Sequence, residues 1–345
     1  MINTAICGCR GHYEKFIGQI NSYADCRVTA IWDPDADTAI AAARKAGCRF
    51  VENYEDILAD ESIDGVLILT ENMRHRDMVV MAAAAGKHIF LEKPLCLTKR
   101  TAAVMKKAVK TGKVHFFLSD PFVRAPIMYL KKLIEDGRLG TMTAVHIRVS
   151  GDSGIPETDP PIPPDYRKIT MGGGVVADTG NHALHIMHYL LGKPLTVNAK
   201  FSSFHEAAVS EGSEEQAMMI FEYPQNILAS VECSLISSDL STEIMVCGMG
   251  GTAVVKNLGG RPGKWEVSVQ SGREGWRLID PADLPADPYA HTEYWITMIK
   301  DDISSEKMAA DDRGNSGMTI DAAADCAEMI EAIYKSASTG KTVKI

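Results

Sequence analysis

The chain lacks the marks of several protein classes. Its eight cysteines (Cys7, Cys9, Cys26, Cys48, Cys96, Cys233, Cys247 and Cys326) are scattered over 345 residues and form no Cys-x-x-Cys pair. That spacing argues against a disulfide framework and a structural zinc site, and no metal is expected. Such cysteines read as small buried hydrophobes of a reducing cytoplasm. Basic charge is also short. Lys and Arg total 36 against 45 Asp and Glu, a net −9, so no nucleic-acid partner is expected. No apolar run approaches the roughly 18 residues of a membrane span. The N-terminal MINTAICGCRG has no basic region leading into a long apolar stretch, so no signal peptide is expected either. The dinucleotide fingerprint GxGxxG is itself incomplete, because Arg10 stands where its second glycine would be.

What is present is a rhythm. Short apolar runs at 4–7, 28–32, 65–69, 88–91 and 114–118 alternate with helical patterns at 12–23, 35–46, 53–59, 76–85 and 98–111. Continuous apolar strands separated by helices predict a parallel sheet covered on both faces, the doubly wound α/β arrangement. After Asp120 the rhythm changes. A helix is predicted over 122–136, then an alternating strand over 141–149 and a loop rich in Pro, Asp and Gly over 151–167. A helix through 178–191 follows, then alternating segments near 197–204, 216–223, 227–235, 242–247, 252–256 and 265–270. These predict an open, mostly antiparallel sheet. Closing helices are expected over 288–301 and 319–336. The division is therefore a dinucleotide-binding domain over 1–120 and a substrate-binding α/β domain over 121–345, whose sheet face suits a homo-oligomer.

Chemistry-bearing residues cluster at the strand ends. Gly8-Cys9-Arg10-Gly11-His12 is a turn between the first strand and helix, where backbone N–H groups can approach a pyrophosphate. Taken alone it equally describes an ordinary tight βα turn. Asp33 ends the next strand, 25 residues after Gly8. A carboxylate there accepts hydrogen bonds from ribose hydroxyls and repels a 2′-phosphate, which favours NAD over NADP. Thr70, Asn72 and His75 follow the strand at 65–69, at the sheet edge where ligands of open α/β folds bind. Glu92-Lys93-Pro94 follows the strand at 88–91 and offers Lys93 as a proton donor or acceptor. Farther on, Asp178 and His182 stand at i and i+4, with His185 near the same helix face. A His beside a carboxylate can serve as a tuned base. His182, His185 and His188 also admit a metal reading, but steps of three residues drift around a helix and converge poorly.

Two turns mimic other sites. Ser150-Gly151-Asp152-Ser153-Gly154 has the look of a protease nucleophile block, but no all-β pattern or matching histidine block accompanies it. Gly248-Met249-Gly250-Gly251 leads into a strand instead of a helix, so it reads as a hairpin turn.

The segments GKHIFLEKPLCLT and GGGVVADTGNHALHIMHYLLG, with the tail MIEAIYKSASTGKTVKI, together resemble the hallmark blocks of the Gfo/Idh/MocA oxidoreductases. The resemblance covers essentially the whole chain. It implies a Rossmann domain, a bound nicotinamide cofactor and a sugar, glycoside or cyclitol as small-molecule substrate. It also implies Lys93, Asp178 and His182 as the catalytic set. The expected roles are His182 as the base, Lys93 as a hydrogen-bond partner of the same oxygen and Asp178 as the orienting group. Glu92 matches a residue near the nicotinamide, and Thr70, Asn72 and His75 match the cofactor-proximal TPNxxH segment. Arg124, Asp152, Tyr166, Asn181 and His185 are expected substrate contacts. Three positions depart from the family pattern: Arg10 for a glycine, Glu71 for a proline and His185 for a frequent aspartate. A redox-neutral enzyme that recycles its bound NAD, or a non-catalytic NAD(H) sensor, stays open as an alternative.

Overall fold

The computed structural model describes residues 1–9, 12–120, 123–151, 172–237, 241–258, 264–287, 290–302 and 319–345. In chain order the first elements are β1 (Ile2–Cys7), α1 (Tyr13–Asn21), β2 (Cys26–Trp32), α2 (Ala36–Ala46), β3 (Arg49–Phe50) and α3 (Tyr54–Ala59). Then come β4 (Gly65–Ile68), α4 (Asn72–Ala84), β5 (His88–Glu92), α5 (Lys99–Gly112) and β6 (Phe116–Ser119). Next are α6 (Ala125–Glu135), β7 (Met142–Ser150), α7 (Thr179–Leu191), β8 (Thr196–Ser202) and α8 (Glu206–Glu211). The strands β9 (Gln216–Glu222), β10 (Leu228–Ser234), β11 (Ser241–Gly248), β12 (Gly251–Leu258), β13 (Lys264–Ser271) and β14 (Arg277–Leu278) follow. The chain closes with α9 (His291–Asp301), α10 (Ile320–Thr339) and β15 (Val343–Lys344).

Two compact units result: Met1–Pro121 with Tyr289–Ala324, and Phe122–Pro288 with Asp325–Ile345. The first break falls beside the expected one at Asp120, but α9 returns to the first unit, not the second. The reason is aromatic packing. Trp295 and Tyr294 are essentially fully buried. Trp295 meets Phe90 of β5 edge-on at 5.8 Å, and Tyr294 stacks on Phe117 of β6 at 6.2 Å. Burying such a side chain contributes roughly 1.5–3 kcal/mol.

In the first unit a parallel sheet runs in the order β3-β2-β1-β4-β5-β6, the order of a dinucleotide-binding Rossmann fold. The sheet is covered on both faces, so β4 inside it is buried at every residue, and so is β6 at its edge, where α9 packs. The helices start where capping chemistry permits. The Asp35 carboxylate accepts the Asp37 N–H at the start of α2, and the Thr98 hydroxyl accepts the Thr101 N–H at the start of α5.

One half-buried pair in this unit makes stability depend on pH. His88 stacks on His115 with ring centroids 4.8 Å apart, and its Nδ1 accepts the His115 backbone N–H at 3.1 Å. That bond needs an unprotonated Nδ1. Burial, then the neighbouring His115 ring, push the His88 pKa down to about 4, with Asp64 and Asp302 offsetting only part. The folded value lies below the unfolded one of about 6.5, so the unfolded chain takes up the proton first. The contribution is complete above about pH 6.5 and is lost as pH falls toward 4. After discounting for solvent at the part-exposed ring, the loss is on the order of 1–2 kcal/mol. Urea unfolding at pH 7, 5.5 and 4.5 should show it. His88→Asn, which keeps an acceptor near Nδ1, should flatten that decline. An equal decline in the variant would clear His88 of the effect.

The second unit carries a nine-stranded sheet in the order β14-β13-β12-β11-β7-β10-β9-β8-β15. It is mostly antiparallel, as expected, but mixed: β7 and β10 pair in parallel from Ala144 and Leu228 to Ser150 and Ser234. Val145, Ile147, Val149, Val231 and Cys233 are buried on the side against which α7 packs. Met218, Ile220, Leu228 and Met245 are exposed on strands of the same sheet.

Candidate active site

In the first unit the site forms at the carboxyl ends of β1, β2, β4 and β5. Strand order reverses between β1 and β4, and an open α/β sheet binds ligands in that crevice. Gly8 follows β1 with φ +105°, and its N–H donates to the Trp32 carbonyl at 2.8 Å. A Cβ on Gly8 would lie 2.7 Å from the Thr70 backbone nitrogen and 2.8 Å from the Leu69 carbonyl carbon. Only glycine allows the chain to lie so close to the neighbouring strand end. Gly8→Ala is therefore expected to cost about 2–4 kcal/mol of stability through strain and overlap. NADH affinity should fall at least tenfold with it. Thermal unfolding and a fluorescence titration check both, and a variant with normal affinity would separate the turn from the cofactor.

Asp33 is fixed beside this turn. One carboxylate oxygen accepts the Cys9 N–H at 2.6 Å and the other accepts the Asp35 N–H at 2.8 Å. The Cys9 thiol is pushed up to about 12 by burial first, then by the charge of Asp33, so it stays protonated and unreactive. The turn, its glycine and the held carboxylate together fit an adenosine ribose and pyrophosphate. His12 is exposed just before α1. Arg10 and Gly11 lie outside the described residues.

Thr70 and His75 are buried. The His75 ring nitrogens meet two backbone carbonyls, Nδ1 at Pro94 (2.9 Å) and Nε2 at Thr70 (3.0 Å). Burial lowers its pKa, while the carbonyl partners oppose the shift. His75 thus braces the turn after β4 against the turn after β5. Asn72 opens α4. Glu71, where the family pattern has proline, accepts from Arg74 Nε at 2.8 Å. Lys93 is half-buried, and its N–H donates to the Glu92 carboxylate at 3.0 Å. The Lys93-Pro94 bond is cis.

In the second unit Asp178 stands at the N-cap of α7, and its N–H donates to the Gly174 carbonyl at 3.2 Å. Asn181, His182 and His185 occupy the first two turns of that helix and are buried. His188 turns to another task, its Nε2 lying 3.1 Å from the Asp325 carboxylate. Arg124 is exposed at the N-cap of α6, a helix that packs on α7. Asp152 and Tyr166 lie outside the described residues.

A Rossmann unit with a carboxylate held beside its first turn, in one chain with an open-sheet unit, has the make-up of a nicotinamide-dependent oxidoreductase. Residues 2–119 match the model of an oxidoreductase family with an NAD-binding Rossmann fold, GFO/IDH/MocA. Residues 127–254 match the GFO/IDH/MocA C-terminal domain. The chain belongs to the GFO/IDH/MocA family. It is 27% identical over 321 residues to inositol 2-dehydrogenase of Rhizobium meliloti (strain 1021), covering 89% of this chain and 90% of that one. It is 26% identical over 236 residues to 2,7-anhydro-N-acetylneuraminate hydratase of Escherichia coli (strain K12). That alignment covers 67% of this chain and 61% of the hydratase. Levoglucosan dehydrogenase, solved with NADH and levoglucosan, shares the fold with a TM-score of 0.80 at 21% identity, covering 100% of this chain and 99% of that one. Among the described residues no helix is long and apolar enough to cross a membrane.

Proposed function

We propose that the chain oxidises a secondary alcohol of a sugar, glycoside or cyclitol, reversibly and with NAD. The observation that carries this reading is Asp33, a carboxylate bonded to the Cys9 N–H beside Gly8 and so preset for ribose hydroxyls. The Asp178-x-x-x-His182 step at the start of α7 supports the acid–base half. Gly8, Asp33, Thr70 and Asn72 hold the cofactor, with His75 bracing the turns around them. Bound NAD would supply the hydride acceptor for the carbinol carbon.

The chain's own groups handle the proton. His182 takes the hydroxyl proton as the carbonyl forms, and Lys93 hydrogen-bonds the substrate oxygen and relays the proton outward. Asp178 orients substrate or imidazole. Such acid–base help is typically worth about 10²–10⁴-fold in rate. The likeness to a hydratase favours a second reading, in which the hydride returns to the intermediate and the net reaction is redox-neutral. A panel of cyclitols, anhydrosugars and glycosides decides between them. Net absorbance at 340 nm supports the dehydrogenase. Product by mass spectrometry without net NADH supports the second reading. NADH binding without any product would leave a sensor.

The exposed Met218, Ile220, Leu228 and Met245 support a homo-oligomer built on this sheet. All eight cysteines are unbridged, which supports a cytoplasmic home.

A further inference from the structure

The glycine run before Asp178 is gripped by two side chains far from it in sequence, the second of them within the closing segment MIEAIYKSASTGKTVKI. Glu214, just ahead of β9, and Tyr334, on α10, lie in the same unit as residues 172–185. Glu214 is buried at 3% exposure. Its Oε1 accepts from the Tyr334 hydroxyl at 2.5 Å, the Gly174 N–H at 3.1 Å and the Val176 N–H at 3.3 Å. The Gly174 N–H is shared with the Tyr334 oxygen at 3.1 Å. The Glu214 carbonyl in turn accepts the Val175 N–H at 2.9 Å. Burial, then the Glu214 carboxylate, hold the Tyr334 phenol well above its ordinary pKa, so it remains a donor. Its ring is seated edge-on against Phe201 at 5.4 Å.

This grip explains why residue 174 is glycine. A Cβ on Gly174 would lie 2.5 Å from the Glu214 carbonyl oxygen and 2.6 Å from its carboxyl group. A Cβ on Gly173 would lie 2.3 Å from the Ala177 Cβ, within the turn itself, and 2.9 Å from the Tyr334 hydroxyl. The held residues then carry the helix start. The Gly174 carbonyl accepts from Asp178 N–H, and the Val175 carbonyl accepts from Gly180 N–H at 2.7 Å.

We propose that Glu214 and Tyr334 are positioning residues, a buried clamp that fixes the turn at 172–177 and through it the placement of Asp178 and His182. Its kinetic consequence rests on the dehydrogenase reading above; its structural part does not. The full chain is tested as wild type, Tyr334→Phe, Glu214→Gln and Glu214→Ala. Hydrogen exchange of the amides at 172–182 is followed together with kcat, KM, the pH profile of kcat/KM and NADH affinity. Tyr334→Phe keeps the ring, so it should fold. It should speed exchange of these amides about tenfold and lower kcat by roughly 10–100-fold, the scale of an ångström-sized misplacement. NADH affinity should move less than about twofold, because the clamp lies outside the nucleotide-binding unit. Glu214→Gln retains an acceptor oxygen and should recover most of what Glu214→Ala loses. Unchanged exchange and kcat in Tyr334→Phe would overturn the clamp. So would a lower Tm with kcat and the pH profile unmoved, since that is a structural role only. Should wild type turn over none of the panel, the dehydrogenase reading falls, and exchange alone upholds or overturns the clamp.

Discussion

Replacing Lys93 with Met should lower kcat by about 10³-fold or more while NADH affinity changes less than about threefold. Methionine keeps most of the length of the half-buried side chain and removes only the ammonium. Two contacts of the backbone hold the turn that carries it. The Lys93 N–H donates to the Glu92 carboxylate, and the Pro94 carbonyl is met by His75 at 2.9 Å. Both survive the substitution, so a fall in rate would report lost proton handling and not a displaced loop. Steady-state absorbance at 340 nm gives kcat, and quenching of NADH fluorescence gives affinity. Wild-type turnover in the variant would remove Lys93 from the acid–base role. Loss of affinity in step with turnover would make it a cofactor contact instead.

The sequence was most readable where burial alone dictates the pattern. The run at 65–69 has no polar residue because β4 lies between neighbours and under helices on both faces. The place of Asp33 directly after β2 could be read from the end of the apolar run at 28–32, but its bond to the Cys9 N–H could not. Periodicity reports which face of an element is buried, not what buries it. Hence α9 was expected in the second unit, although its partners are Phe90 and Phe117, about two hundred residues earlier. The parallel pairing of β7 with β10 was hidden for the same reason, because an alternating strand reads alike in either direction. The strand β3, at two residues, is too brief to show a period. Glu214 and Tyr334 meet Gly174 across 40 and 160 positions, and the only local trace of them is the unbroken glycine run itself. His75 was legible as a motif residue, but its two carbonyl partners were not.

Asp33→Asn should shift the ratio of kcat/KM for NAD over NADP by about 10–100-fold toward NADP. A carboxylate a few ångströms from a 2′-phosphate is repelled by on the order of 4 kcal/mol per pair of unit charges at an effective dielectric of about 20. Salt and exposure leave about half of that, which still spans one to two decades. Asparagine suits the test because the two bonds Asp33 makes are unequal. The Cys9 N–H is part-buried, whereas the Asp35 N–H is exposed and can turn to water. The single amide oxygen can keep the first bond, so the turn should hold at a cost of about 1 kcal/mol or less. Ionic strength then separates charge from shape. Wild-type discrimination against NADP should weaken as salt rises, and that of the variant should barely move. A salt-independent preference in both would place the choice of cofactor in the fit of the pocket and take it away from the charge of Asp33.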